Sequence, residues 1–142
     1  LDRSSAASDV YKRQVVAVEG DKIVAASIDE YQYIEEGITS QGEGSDFAND
    51  YADSKTVLAS KLENNDFYSD LMAEKAGSTV TIKENFEAIE NFVAGKTVEE
   101  IKETIAGAKE GEKVEAVSGA TLVDTAGYLQ LIVDAFENAI NK

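Results

Sequence analysis

The chain opens on short apolar runs separated by turn residues. Val15-Val16-Ala17-Val18 and Ile23-Val24-Ala25-Ala26-Ser27-Ile28 flank Glu19-Gly20-Asp21-Lys22, whose Gly-Asp centre is a two-residue hairpin signal. The pattern predicts a β-hairpin with Val16, Val18, Ile23 and Ile28 in the core. Tyr31 to Ile34 extends its second strand, and Thr56-Val57-Leu58-Ala59-Ser60 reads as a further short strand. Between them, Glu35 to Tyr51 is acidic, carries Gly37, Gly42 and Gly44, and reads as a long surface loop.

The apolar period then changes to that of helices. Asn64-Asn65-Asp66 is expected to cap a helix through Ala76, with Tyr68, Leu71, Met72 and Ala76 on one face and Gly77 as its stop. A second helix is predicted from Lys83 to Ala94, with Phe86, Ile89 and Val93 in register. Thr97-Val98-Glu99-Glu100 has the capping-box pattern and starts a third, with Val98, Ile101 and Ile105 inward and Gly107 at its end. All three read as scaffold, and Glu99, Glu100 and Glu103 as a solvated face.

After the charged stretch Lys109 to Lys113, Val114 to Val117 is predicted to be a short strand. The last helix, Ala126 to Ile140, carries no charge as far as Val133. Leu129, Ile132, Val133, Phe136 and Ile140, flanked by Tyr128 and Leu131, cover most of its circumference, so it is expected to be the most buried helix. The fold predicted is α+β: a small, mainly antiparallel sheet covered by about four helices, the last packed centrally. Residues 1–14 show no clean periodicity. They are expected to stand apart, as non-native sequence of the translated-adapter kind or as a disordered linker, from a single domain spanning 15–142.

Between the predicted strand and the last helix lies Ser118-Gly119-Ala120-Thr121. Small residues and hydroxyls feeding a helix N-terminus suit an anion, since the first N–H groups lack intrahelical partners and the helix dipole favours negative charge there. The same residues serve an ordinary turn and cap, which is the commoner use. Spacing alone leaves both open.

Composition narrows the chemistry. With 13 basic and 28 acidic residues, the formal charge of −15 repels phosphate backbones, so nucleic acid is not an expected partner. No apolar run approaches the ~20 residues of a membrane-spanning helix, so direct bilayer insertion is not expected either. The chain has no Cys and no His. Thiol chemistry and the commonest metal ligands are therefore missing, and a redox role requires an organic cofactor. A Thr hydroxyl needs an activating base, and no basic residue stands between Lys113 and Lys142, so Thr121 cannot act as its own nucleophile. The acidic residues Glu35, Glu36, Glu43, Asp46, Asp50 and Asp53 suggest a calcium-binding adhesion loop, but lack the fixed EF-hand spacing.

The run Val117-Ser118-Gly119-Ala120-Thr121, with Glu115 two positions before it and an apolar helix after it, resembles the FMN-binding domain of exported bacterial flavoproteins. That family includes the C subunit of the sodium-pumping NADH:quinone oxidoreductase, the Rnf G subunit and Gram-positive extracellular electron-transfer lipoproteins. The strand, short Gly turn and strand at the start are similar as well. The resemblance implies FMN esterified through its phosphate to Thr121 by a separate flavin transferase, with Ser118, Gly119 and Ala120 as the phosphate-side loop and Glu115 and Asp124 as its supports. It also implies an electron carrier rather than a substrate-converting enzyme. Such a carrier would work outside the cytoplasm, at the cell surface or on the membrane through an N-terminal segment missing here, among redox partner proteins. Glu115 stands where the family usually has Asp, and Asp124 where it often has a hydroxyl residue. As an N-cap, the Asp124 carboxylate would take the N–H donors a phosphate wants. The competing expectation is therefore a cofactor-free exported interaction or structural module on the same scaffold.

Overall fold

The computed structural model describes residues 10–35 and 56–141. Three strands, β1 (Val10–Glu19), β2 (Lys22–Glu35) and β3 (Thr56–Ser60), form an antiparallel sheet in that order, with β2 central. Four helices follow: α1 (Asn65–Ala76), α2 (Ile82–Val93), α3 (Val98–Ala106) and α4 (Thr125–Ile140). The α+β expectation holds.

The hairpin turns where Gly-Asp requires it: Glu19 pairs with Lys22, and Gly20 takes φ 62, a left-handed conformation that glycine adopts without strain. Pairing runs on to Val10 opposite Gln32, so Val10 to Gln14, expected to stand apart from the domain, lie in β1. Along β1, Lys12, Gln14 and Val16 are half-buried while Tyr11, Arg13, Val15 and Ala17 are exposed, the alternation of a sheet covered on one face. The acidic loop and its proposed calcium ligands from Glu36 to Asp53 lie outside the described residues.

Helix boundaries follow local chemistry. Thr97 and Glu100 form the expected capping box on α3, and Thr81 and Glu84 form a second one on α2, which starts at Ile82, one residue before the expected Lys83. Gly77 ends α1 in the left-handed conformation. The Asn64 side chain does not cap α1; its amide donates to Ser60 O at 2.8 Å. Ala76, expected on the inner face of α1, is exposed, as is Ile140 at the end of α4.

Helix α4 packs against α3, α2, β1 and β2, and its Leu129, Ile132 and Val133 join Ile28 of β2 and Phe86, Ile89 and Val93 of α2 in the core. One predicted element is absent. Val114 to Val117 is a series of turns, with Val117 N donating to Val114 O at 2.9 Å. The reason lies in the spacing: Val114 and Val117 both point inward, three apart, as a turn places them and an alternating strand does not.

Two adjacent acids of β2, Asp29 and Glu30, are buried on opposite faces of the strand and so need separate partners. Asp29 accepts from Ser60 Oγ at 2.6 Å and from the backbone N–H groups of Glu30 and Leu62. Glu30 accepts from Lys61 Nζ and from the Tyr128 hydroxyl. Burial, then the Glu30 charge, pushes the Tyr68 hydroxyl up to about 12, and the same two causes raise Tyr128 further. Both folded-state values exceed the ordinary 10.0, so this contribution to stability is complete below pH 10 and declines above it, the Tyr68 part being lost as pH rises through 12. Stability against urea is expected to fall over that window, less steeply in Tyr68→Phe and Tyr128→Phe. An unchanged slope in both variants would exclude these tyrosines as the cause.

Candidate functional site

The segment from Val114 to Asp124 joins α3 to α4 and is held by three apolar plugs. Val114, Val117 and Ala120 are buried at three-residue spacing, while Glu115, Ala116, Ser118 and Gly119 between them, and Thr121 after them, are exposed. Each step is a tight turn, with Ala120 N donating to Val117 O at 3.2 Å and Thr125 N to Leu122 O at 3.1 Å. Gly119 sits at φ +90, a conformation an L side chain adopts only with strain, and a Cβ there would meet Ala88 Cβ of α2 at 3.4 Å.

The residue that pins this loop belongs to α2. Asn85 is completely buried, and its Oδ1 accepts from Thr121 N at 2.6 Å, from Leu122 N at 3.2 Å and from Thr121 Oγ1 at 3.3 Å. Its Nδ2 donates to Thr81 O at 2.9 Å and to Val80 O at 3.4 Å. Sequence reasoning passed over it, although a signal was present: Asn85 falls on the apolar stripe Ile82, Phe86, Ile89 and Val93, where a polar residue needs a buried partner.

The motif hydroxyls differ sharply. Thr125 is fully buried and donates to Leu122 O at 2.6 Å, whereas Ser118 and Thr121 are exposed. Thr121 borders two recesses. One, of about 210 Å³, is walled by the loop itself and brings together Glu115, Ser118, Gly119, Ala120 and Thr121. The other, of about 390 Å³, runs between the end of α1 and the loop, with Met72, Leu122 and Val123 as its large apolar residues.

Asp124 does not join them. It occupies the N-cap position of α4, but its side chain makes no capping hydrogen bond. The carboxylate instead pairs with Lys12 of β1, whose ammonium lies 4.4 Å from the centre of the Tyr128 ring. The expectation that it takes the helix N–H donors is thus corrected: a cation from a neighbouring strand competes better for a carboxylate than neutral amides do. Glu115 points to Lys113 at 3.3 Å, both well exposed, a pair that contributes little.

A phosphate at this loop meets a specific donor set. The N–H groups of Thr121 and Leu122 are already directed into Asn85, and Lys113, the cation lining the small recess, is shared with Glu115. These residues suit a phosphate tied covalently to the exposed Thr121 hydroxyl better than a free dianion held by backbone donors, and the adjoining apolar recess suits a flat ring. Tyr128, an aromatic of the last helix, is buried with its hydroxyl on Glu30 and is not open to a ligand.

Among the described residues, no helix is long and apolar enough to cross a membrane, and no three acidic side chains are grouped to hold a metal. Comparison of the chain with protein-family models, with curated proteins and with solved structures finds no match.

Proposed function

We propose that this domain is an extracytoplasmic electron carrier bearing FMN as a phosphoester on Thr121. The observation that carries the reading is the exposed Thr121 hydroxyl, on a loop pinned by a buried Asn85 and bordering an apolar recess, while Thr125 four residues on is shut in. FMN, when bound, supplies the one- and two-electron chemistry that a chain without Cys or His lacks. Thr121 would hold its phosphate, and Met72, Leu122 and Val123 offer apolar contact to the ring.

Attachment falls to a flavin transferase, because Thr121 has no base of its own. The Thr121 oxygen forms a bond to the flavin-side phosphorus of a flavin dinucleotide and a pyrophosphate P–O bond breaks. The nucleotide monophosphate leaves with the bridging oxygen, and the threonine proton passes to a base on the transferase. No electron changes hands in this step. Donor and acceptor proteins at the membrane complete the relay, and the strongly negative chain favours partners with basic contact surfaces.

The competing reading, a cofactor-free exported interaction module, is favoured by one feature: two of the loop's N–H donors, those of Thr121 and Leu122, are occupied by Asn85. Intact mass separates the two. Protein co-expressed with a flavin transferase is expected to gain the mass of one FMN less water, in wild type and Ser118→Ala but not in Thr121→Ala. A gain that survives Thr121→Ala would move the site, and no gain in wild type would favour the cofactor-free module.

A further inference from the structure

We infer that Asn85 is the positioning residue that makes Thr121, rather than its neighbouring hydroxyls, the acceptor; the inference rests on the flavin-carrier reading above. Three hydroxyls lie within eight residues of chain, Ser118, Thr121 and Thr125, and their intrinsic reactivity does not choose between alcohols of this kind. Burial removes Thr125, whose proton is given to Leu122 O at 2.6 Å. Ser118 and Thr121 are both exposed, so exposure does not separate them. Anchoring does. The backbone N–H groups on both sides of the Thr121 carbonyl converge on one buried oxygen, Asn85 Oδ1, which fixes the direction of the Thr121 Cα–Cβ bond. Ser118 sits on the turn before Gly119 with no comparable side-chain anchor among the described residues.

The anchor is itself fixed. Asn85 lies in the first turns of α2, and its Nδ2 donates to the carbonyls of Val80 and Thr81, the latter the N-cap of that helix. Turning the amide over would set its NH₂ against two N–H donors and its oxygen against two carbonyls, so the surrounding groups allow one orientation only. The capping box of Thr81 and Glu84 holds those carbonyls in place. The line of support thus runs from the helix start through a buried amide to the loop, and an acceptor held this way is presented in one geometry to an incoming phosphorus. The bond from Thr121 Oγ1 to Asn85 Oδ1, at 3.3 Å, is the longest of the three. It is the bond the hydroxyl gives up when its proton passes to the transferase base. Asn85 takes no proton itself; it acts through position.

The test uses the full chain, a purified flavin transferase and a flavin dinucleotide, with Asn85→Leu, Asn85→Asp and, as a stability control, Ile89→Ala from the same buried face. Hydrogen exchange on unmodified protein is expected to show the Thr121 and Leu122 amides protected in wild type and Ile89→Ala and open in Asn85→Leu, with the end of α2 still protected. In the attachment reaction, Asn85→Leu is expected to lose about a hundredfold in kcat with little change in KM. Peptide mass should then find part of the flavin on Ser118. Asn85→Asp keeps an oxygen facing the loop N–H groups and, buried as a neutral acid, turns its O–H to the Val80 and Thr81 carbonyls; it is expected to recover most of the rate and the Thr121 selectivity. Ile89→Ala, destabilised but with the anchor intact, keeps both.

Wild-type protein that takes no flavin overturns the carrier reading and this inference together. Wild-type attachment with unchanged rate and site in Asn85→Leu overturns this inference alone, as does a loss in Ile89→Ala equal to that in Asn85→Leu. If Asn85→Leu does not fold, the question passes to Asn85→Asp. Attachment there at wild-type rate with both amides open in exchange would overturn the inference, and retained protection with retained selectivity supports it.

Discussion

Glu30→Ala is expected to cost about 3 to 5 kcal/mol in folding stability, among the largest effects any single substitution in this chain should have. Glu30 is 4% exposed and is the shared partner of Lys61 Nζ and the Tyr128 hydroxyl. Removing it leaves an ammonium whose side chain is only 15% exposed without its counter-charge, and a buried hydroxyl without its acceptor. The Tyr128 hydroxyl cannot recover water without opening the contact between β2 and α4. Most of the cost therefore comes from what is stranded, not from the strength of the bonds removed. The double variant Glu30→Met/Lys61→Met should recover most of the loss, because an apolar pair strands no charge. Urea unfolding of wild type, Glu30→Ala and the double variant measures both effects. A Glu30→Ala loss under about 1 kcal/mol would mean that water reaches the cluster, contrary to its burial.

Phe86→Ala is expected to cost about 3 to 5 kcal/mol, by a different route. Phe86 is 1% exposed at the centre of the core, and its ring meets Tyr128 edge-on with centroids 5.2 Å apart. The truncation leaves a cavity between α2 and α4, the two helices that carry Asn85 and receive the motif loop. Phe86→Leu, which keeps most of the volume, should cost much less. The comparison also bears on function, since Phe86 is next in sequence to Asn85 but faces the core and not the loop. Flavin attachment to the folded fraction of Phe86→Ala should therefore still go to Thr121. Transfer to Ser118 in that variant would show that the loop depends on helix packing at large and not on one amide.

The loop before α4 was legible in part. Ser118, Gly119, Ala120 and Thr121 were picked out because small residues and hydroxyls before an apolar helix are a local signature, and with Glu115 they line one recess. Asn85 was not, because an asparagine within a helix announces a buried partner only once the stripe around it is known to be buried, and nothing local says which segment that partner is. Asp124 was assigned by the same local logic and went elsewhere, since the logic of caps contains no term for a lysine on a strand 112 positions away.

What the sequence determined by itself is what neighbours in the chain decide among themselves. Gly20-Asp21 sets the hairpin, Thr97 with Glu100 starts a helix, Gly77 stops one, and the uncharged run from Thr125 to Val133 makes α4 the core helix. These are short-range steric and hydrogen-bonding preferences, complete within a few residues. Only the tertiary structure decided that Val114 and Val117 are plugs of a turn and not a strand, for a strand exists only where a sheet edge is there to receive it. It alone joined Glu30 to Tyr128 across 98 positions and Asn85 to Thr121 across 36. Buried polar groups must find partners wherever the fold brings them, and those partners are set by packing, not by proximity along the chain.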